Sequence, residues 1–370
     1  MKFTFINHNK KSSSLNDYNK IPLSKINKLY SSKGFSINKK SIEKNQKYID
    51  YSLKQYNIYS KSNNNNPYIN YMKIEKNNIN LNYIQTLSGH KNIITSMSIF
   101  ASGNFISVSR DKSIIIYDKN FNELQKIENA HEYNIINGVD VKDESNFVTN
   151  SLYEIRIWIK NNNNFILNQI ISYPHQEIKD VKYCLNDNLI SLGFEKILKL
   201  WNFNNVYQNI MIIKCNIICF CLLNENKILI TLCNDGLRFW NIYNYECLSY
   251  FKDLYKFNDY KLNKIDNDKI IIQGEFNEKS IKIFSISNMK TIKILNYEYL
   301  NFVGSIQDKG IFMLGNQKYF YIYNINDYQF IKKIKHYHNE KYSVNGIIKL
   351  KNEFIASYSN DNKINIWSLN

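Results

Sequence analysis

The chain has 370 residues, 44% of them apolar, which is enough for a sizeable core in one large domain or two smaller ones. Its net charge of +16 is uneven, because residues 1–80 hold 15 Lys against 4 acidic residues while residues 81–370 hold 33 basic and 28 acidic residues. The near balance of the second part excludes a large nucleic-acid footprint there. No apolar run reaches the roughly 18 to 20 residues of a membrane span, so we expect no membrane partner.

Residues 1–80 form a leader rich in Lys, Ser and Asn. This low-complexity composition, without a sustained apolar period, predicts a largely disordered segment. Residues 1–48 contain eleven Lys and eight Ser but only Asp17 and Glu43 as acids, a balance that organelle transit peptides share. We expect a cytoplasmic or nuclear protein, with mitochondrial or other organelle targeting by the leader as the alternative.

Residues 82–370 contain a long-period repeat. Seven segments each lead from apolar residues into an aromatic one, at Tyr117, Trp158, Trp201, Trp240, Phe284, Tyr323 and Trp367. The successive spacings are 41, 43, 39, 44, 39 and 44 residues, which is the length of one four-stranded propeller blade. All four Trp of the chain fall in this set, and four of the six His precede their aromatic residue by 26 to 29 positions.

Within the first repeat, short apolar runs bounded by turn residues predict strands over 93–99, 105–109, 113–118 and 123–127. Residues 83–87 have the pattern of an outer strand but precede this blade, whereas the chain ends on the third strand of the seventh. Pairing these two ends would hide both open edges. We therefore predict an all-β, seven-bladed propeller over residues 82–370, closed by pairing of residues 83–87 with the C-terminal blade.

The segments LSGHKNIITSMSIF, SVSRDKSIIIYD and IASYSNDNKINIWS resemble the WD-repeat (WD40) family. In that family a His, a Ser or Thr, an Asp and a Trp form a hydrogen-bonded tetrad in each blade, where buried polar groups need partners. The resemblance implies structural tetrads in blades one and seven, formed by His90, Ser107, Asp111 and Tyr117, and by His338, Ser357, Asp361 and Trp367.

The other blades depart from this pattern. The position of the Asp is taken by a different residue in blades two, three, five and six, namely Leu152, Glu195, Glu278 and Gln317. Blades five and six also lack the His. We expect those two blades to depend more on apolar packing than on polar networks.

The family resemblance implies a rigid platform that binds other proteins. We predict a protein-binding scaffold, an adaptor that assembles a multiprotein complex through its rim, and leave its oligomeric state open. The candidate rim residues lie at or near the turn Asp of blades one and seven, namely Arg110, Lys112, Tyr358 and Asn360. The alternative is an RNA-associated assembly factor, in ribosome maturation or splicing, whose basic leader contacts RNA.

A catalytic propeller is a third hypothesis, and the sequence gives it little support. It contains no HExxH, GxSxG or GxxxxGK[ST] motif. A zinc site is an alternative for Cys215, Cys219 and Cys221, but these residues lie in or beside the apolar run 217–223, which favours a buried strand with Cys as a small apolar residue. We predict no catalytic, cofactor-binding or metal-binding residues.

Overall fold

A computed structural model describes residues 79–132, 135–204, 206–223, 228–252, 260–274, 280–297 and 300–369. The predictions for residues 1–78 lie outside these residues. The described part contains 28 strands in seven four-stranded antiparallel sheets, and two short 3-10 turns at Leu185–Asp187 and Gln307–Lys309. No helix among these residues has the length and apolar character needed to cross a membrane.

Strand β1 (Leu81–Leu87) precedes the first complete blade. Blades one and two consist of β2 (Ile94–Ile99), β3 (Phe105–Ser109), β4 (Ile114–Tyr117), β5 (Glu123–Ile127), β6 (Gly138–Asp143), β7 (Asn146–Asn150), β8 (Glu154–Asn161) and β9 (Asn164–Ser172). Blades three and four consist of β10 (Ile178–Tyr183), β11 (Leu189–Gly193), β12 (Ile197–Asn204), β13 (Val206–Lys214), β14 (Ile217–Leu223), β15 (Ile228–Cys233), β16 (Gly236–Asn241) and β17 (Cys247–Lys252). Blades five and six consist of β18 (Tyr260–Lys264), β19 (Lys269–Gly274), β20 (Ser280–Ser285), β21 (Lys290–Asn296), β22 (Phe302–Ile306), β23 (Ile311–Gly315), β24 (Tyr319–Asn324) and β25 (Phe330–Lys335). Blade seven contains β26 (Val344–Lys349), β27 (Phe354–Ser359) and β28 (Ile364–Leu369).

Blade seven is completed by β1, which forms its outer strand in the order β1-β28-β27-β26. The two strands run antiparallel, starting with Leu81 opposite Leu369, and the Thr86 hydroxyl donates to Asn365 Oδ1 at 2.7 Å. The predicted closure of the ring is confirmed, and the pairing extends two residues beyond the predicted segment. Contact begins earlier still, because Ile79 is buried in the apolar seam between blades six and seven.

The core is divided among the seams between neighbouring blades. Buried apolar side chains of the described residues form seven clusters, and each cluster joins two adjacent blades. In the seam that closes the ring, Ile94 and Phe105 of blade one pack with Ala356 and Ile366 of blade seven. The closing seam is therefore built like the other six, and burial of apolar area holds each blade to both neighbours.

Two glutamines connect outer strands of neighbouring blades. The Gln125 amide on β5 accepts the N–H of Phe165 at 2.8 Å and donates to its carbonyl at 3.0 Å. Gln169 on β9 makes the same pair of bonds to Tyr207 on β13, at 3.0 and 3.4 Å. These bonds satisfy backbone groups at two exposed sheet edges, where unpaired N–H and C=O groups invite pairing with other chains.

Candidate functional site

The strand order defines two rims of the ring. Because the four strands of a blade alternate in direction, the connection to the next blade and the turn between the second and third strands lie on one rim, which we call the upper rim. The turn between the first and second strands and that between the third and fourth lie on the opposite rim. The loop before β2, with His90, and the β3–β4 turn, with Asp111, therefore meet at the upper rim.

In blade one, polar contacts join the upper-rim loop to the sheet. His90 Nε2 lies 2.8 Å from Ser107 Oγ, and His90 Nδ1 lies 3.2 Å from Asp111 Oδ2. Asp111 also accepts the backbone N–H of Lys91 at 2.6 Å. Tyr117, in the family's Trp position, stacks on Phe105 with ring centroids 5.0 Å apart. The structure thus joins three of the four predicted residues by hydrogen bonds and buries the fourth, Tyr117, against Phe105.

In blade seven, the contacts form one continuous chain. The indole N–H of Trp367 donates to Ser357 Oγ at 2.9 Å, and Ser357 Oγ lies 2.8 Å from His338 Nε2. His338 Nδ1 lies 3.0 Å from Asp361 Oδ2, which also accepts the N–H of Asn339 at 3.0 Å. Asp361 therefore ties the β27–β28 turn to the loop that leads into β26.

Blade three forms the same chain with a glutamate. Trp201 Nε1 donates to Ser191 Oγ at 2.8 Å, and Ser191 Oγ lies 2.7 Å from His175 Nε2. His175 Nδ1 is hydrogen-bonded to Glu195 Oε1. Glu195, which departs from the family's Asp, therefore contacts the same histidine nitrogen that Asp361 contacts in blade seven.

In blade two, the acidic residue near the histidine does not occupy the family's Asp position, which lies six residues before the aromatic residue of the third strand. Thr149 Oγ1 accepts from Trp158 Nε1 and contacts His131 Nε2, both at 2.9 Å. Leu152 occupies the family's Asp position, but the carboxylate beside the histidine belongs to Glu154, whose Oε2 lies 3.6 Å from His131 Nδ1. Glu154 stands four residues before Trp158, where the family's Asp stands six before, and its longer side chain reaches the histidine from the first position of β8.

A match to the model of the family described as WD domain, G-beta repeat, covers residues 81–118, which hold β1 and the first three strands of blade one. This segment includes His90, Ser107 and Asp111, and six further four-stranded blades complete the ring. This match and the seven-bladed ring together support assignment of the propeller to the WD-repeat family. It has no match among curated proteins. WD-repeat propellers are generally protein-interaction scaffolds, and they are typically non-catalytic.

Acid should weaken blade two of the WD-repeat propeller through Glu154. The neighbouring His131 and then the Arg156 guanidinium, whose Nε donates to Glu154 Oε2 at 2.9 Å, lower the pKa of Glu154 from 4.5 to about 2. A carboxyl with a depressed pKa in the folded state stabilises the fold above its unfolded pKa, and the contribution is lost as the pH falls towards the folded value. The loss should therefore occur as the pH falls from 4.5 to about 2.

We expect Glu154→Gln to lower the free energy of unfolding near neutral pH and to flatten its decline over that acid range. Urea unfolding at a series of pH values measures both effects. Glu132→Gln, which changes an exposed carboxyl in the same blade, is the matched control. Equal pH profiles for the two variants would show that Glu154 is not paired with His131 in solution.

Blade four replaces the histidine with a thiol contact. Trp240 Nε1 donates to Thr231 Oγ1 at 2.9 Å, as the Trp of blades two, three and seven does to its Ser or Thr. Beside this bond, the buried sulfurs of Cys215 and Cys233 lie 3.4 Å apart. Cys219 belongs to a different apolar cluster from Cys215, so the cysteine set considered for zinc is divided between two seams. The described residues contain no group of three His, Cys, Asp or Glu side chains arranged for a metal ion.

Blades five and six have aromatic packing where the other blades have polar chains. Phe284 is buried between blades four and five with Phe239 and Phe251. Tyr323 stacks on Phe312 with centroids 5.1 Å apart. Of the two substitutions noted in these blades, Gln317 is exposed, whereas Glu278 lies outside the described residues.

The four predicted rim residues differ in accessibility. Arg110 is exposed in the β3–β4 turn, whereas Lys112 Nζ donates to the Glu132 carbonyl at 2.9 Å. The Asn360 side chain accepts from Asn345 Nδ2 at 2.8 Å. Tyr358 crosses Gly346 on the inner strand so closely that its hydroxyl would collide with a Cβ there. Only Arg110 therefore presents a largely exposed side chain, and a role of these residues in binding remains a prediction.

The exposed aromatic side chains are a rim feature that the sequence analysis missed. Seven large aromatic side chains are strongly exposed among the described residues, namely Tyr83, Tyr173, Phe194, Tyr243, Phe330, Tyr337 and Tyr342. Four of them lie in upper-rim loops, at 173, 194, 337 and 342, and one lies on the opposite rim, at 243. The available signal for the four upper-rim residues was their position outside the seven apolar segments that end in a repeat aromatic residue.

Inner strands β6, β10, β14 and β18 line a central cavity of about 940 Å³. Its charged side chains largely pair with one another: Lys182 Nζ lies 3.2 Å from Asp140 Oδ1, and Lys142 Nζ lies 3.0 Å from Asp187 Oδ1. Both signs of charge line the cavity at blades two and three, whereas β14 contributes no charged side chain and β18 contributes Lys261 and Lys264. Most of the strongly exposed aromatic side chains in the described residues lie outside this cavity, and four of the seven lie in upper-rim loops.

Proposed function

We propose that this WD-repeat propeller is a scaffold that assembles a multiprotein complex through its upper rim. The concentration of exposed aromatic side chains on that rim is the observation that supports the proposal. Tyr and Phe are enriched at the centres of protein interfaces, because they bury a large area and have few rotatable bonds to immobilise. No catalytic chemistry is required for this role.

The tetrads support the same function by fixing the rim. Asp111 and Asp361 each accept a backbone N–H from the loop before the first strand of their blade. Both carboxylates also contact the buried histidine of that loop. A rim whose turns are fixed before binding loses little conformational entropy when a partner docks, so more of the contact energy appears as affinity.

Affinity purification of the full chain from its own cells, followed by mass spectrometry, tests the scaffold. We expect the same set of partner proteins to be recovered when residues 1–78 are removed, because the rim belongs to the propeller. The matched comparison carries Arg110→Ala in the shortened chain, which should weaken at least one partner if the predicted rim position contributes. Loss of every partner on removal of residues 1–78 would place the binding site outside the propeller.

The second candidate is RNA-associated assembly through the leader. Its support is the excess of 15 Lys over 4 acidic residues in residues 1–80. Neutralising phosphates with lysine releases counterions, so such binding weakens steeply as salt rises. The purification just described separates the two functions, because partners bridged by RNA would be lost both after nuclease treatment and after leader removal.

A further inference from the structure

Two buried thiols in blade four occupy positions that polar side chains occupy in other blades. We propose that Cys215 and Cys233 form a disulfide when hydrogen peroxide oxidises them, and that this bond fixes the upper rim of blade four. The inference goes beyond the proposed scaffold function and is independent of it, because it concerns the chemistry of two side chains inside the propeller.

Cys215 stands where blades one, two, three and seven have the tetrad histidine. It lies in the upper-rim loop that precedes the first strand of its blade, two residues before β14. Trp240 follows it by 25 residues, close to the 26 to 29 residues that separate the histidines from their aromatic residues. Cys215 is buried, as those histidines are. The loop of blade four therefore carries a thiol at the position where the other loops carry an imidazole.

Cys233 stands where two other blades have a serine. It lies two residues after the hydroxyl residue of its blade, the position of Ser109 in blade one and Ser359 in blade seven. The Ser109 hydroxyl donates to the carbonyl of Asn92 at 2.9 Å. The Ser359 hydroxyl donates in the same way to the carbonyl of Ser343 at 3.0 Å. These bonds tie the second strand to the loop before the first strand, and a thiol, which is a weak donor, replaces the hydroxyl in blade four.

The backbone already holds the two cysteines side by side. The N–H of Asn234 donates to the carbonyl of Asn216 at 3.3 Å, one residue beyond each cysteine. Cys233 is also the strand partner of Ile217 where β14 pairs with β15. The two sulfurs lie 3.4 Å apart, in contact with each other. A disulfide therefore requires only a small movement of two side chains whose backbones are already joined.

The surroundings favour Cys233 as the sulfur that reacts first. Its contact with the Cys215 thiol and then the nearby Arg238 guanidinium lower the pKa of Cys233, against the opposing effect of burial. The same contact and then burial raise the pKa of Cys215. Negative charge is therefore placed on the sulfur of Cys233, and the thiolate is the form of cysteine that attacks an oxidant.

Oxidation by hydrogen peroxide balances in two steps. In the first, the Cys233 thiolate attacks one peroxide oxygen, an S–O bond forms and the O–O bond breaks. The leaving hydroxide takes up the proton that Cys233 gave up, so the products are a sulfenic acid and one water. In the second, the Cys215 sulfur attacks the sulfenic sulfur, the S–S bond forms, and the hydroxide leaves with the Cys215 proton as a second water. Two thiols are oxidised to one disulfide, and the peroxide is reduced.

The oxidant has to reach a buried pair. Hydrogen peroxide is close to water in size, and brief local opening of an upper-rim loop admits a molecule of that size. Among the described residues of blade four, the loop before β14 makes no histidine–carboxylate contact of the kind that holds the corresponding loop in blades one, three and seven. The disulfide supplies a covalent bond between this loop and the end of β15. Oxidation therefore fixes a loop that lacks this anchor in the reduced protein.

Treatment of the reduced full chain with hydrogen peroxide, followed by mass spectrometry without reductant, tests the proposal. We expect the intact protein to lose two hydrogens and the tryptic peptides 215–227 and 228–238 to become joined until dithiothreitol separates them. The oxidised protein should melt at least about 4 °C above the reduced protein, because the bond restricts the unfolded chain. The backbone amides of residues 216 and 234–235 should exchange hydrogen at least about tenfold more slowly after oxidation.

Variants assign the bond, because peptide 215–227 contains three cysteines. Cys215→Ala should abolish the cross-link and the rise in melting temperature, whereas Cys219→Ala, the matched control in the same peptide, should retain both. Fragmentation of the joined peptides between residues 215 and 219 makes the same assignment on the unchanged protein, whether or not Cys215→Ala folds. A chain that stays reduced, a bond that includes Cys247, or an oxidised protein with unchanged melting temperature and amide exchange would each overturn the inference.

Discussion

A chain that begins at residue 89 will melt at least about 10 °C below a chain that begins at residue 79. The shorter chain lacks β1, so the edge of β28 loses its partner from Leu81 to Leu87. It also loses the ring of Tyr83, which covers the edge of Trp367 at a centroid distance of 5.7 Å. Each kcal/mol lost from a domain of this size shifts the midpoint by about 2–4 °C, and a whole strand contributes several.

Differential scanning calorimetry of the two chains measures the difference. The chain that begins at residue 79 is the matched control, because it also lacks residues 1–78 and differs only by the closing strand and its flanks. A melting temperature that is the same in both chains would contradict closure of the ring by β1.

Trp367→Ala will lower the free energy of unfolding by about 3–5 kcal/mol. The Trp367 side chain is fully buried among the apolar residues of the seam between blades six and seven. Its removal leaves a cavity and also deprives Ser357 of the indole donor. Trp367→Phe retains most of the ring but loses the N–H, so we expect a smaller loss of about 1–3 kcal/mol.

Urea unfolding of both variants gives these values. Tyr337→Ala is the control, because the Tyr337 ring lies 5.6 Å from that of Trp367 but is 69% exposed. It should cost less than about 1 kcal/mol, as most changes of exposed side chains do. A loss for Trp367→Ala no larger than for Tyr337→Ala would mean that the tetrad of blade seven does not anchor its seam.

The number of blades followed from the sequence because the third strand of every blade buries one aromatic residue in the seam with the preceding blade. That requirement repeats at the length of a blade, and it holds at Phe284 and Tyr323 even though their polar partners are absent. Closure could also be predicted. Residues 83–87 form an outer strand without a blade, and blade seven lacks an outer strand, so pairing the two completes the ring.

The composition of the tetrads was less predictable. A fixed spacing of six residues finds Asp111 and Asp361 but misses Glu154, because a longer side chain reaches the same histidine from a different backbone position. The contact between Cys215 and Cys233 joins residues from separate strands, and no local pattern specifies it. The exposed aromatic side chains of the upper-rim loops escaped notice because abundant strand tyrosines conceal the few that lie in loops.

The position of β1 also has a consequence for the order of assembly. During synthesis β1 leaves the ribosome before any complete blade, while its partner β28 is the last of the 28 described strands to emerge. Chains with such distant pairings fold slowly, and an unpaired strand edge is exposed to aggregation until its partner arrives. The segment LNYIQTL of β1 carries no charged residue that would discourage premature pairing. The edge of β1 therefore stays without its partner strand during nearly the whole synthesis of the propeller. We expect that any chaperone that assists folding is needed longest at this strand.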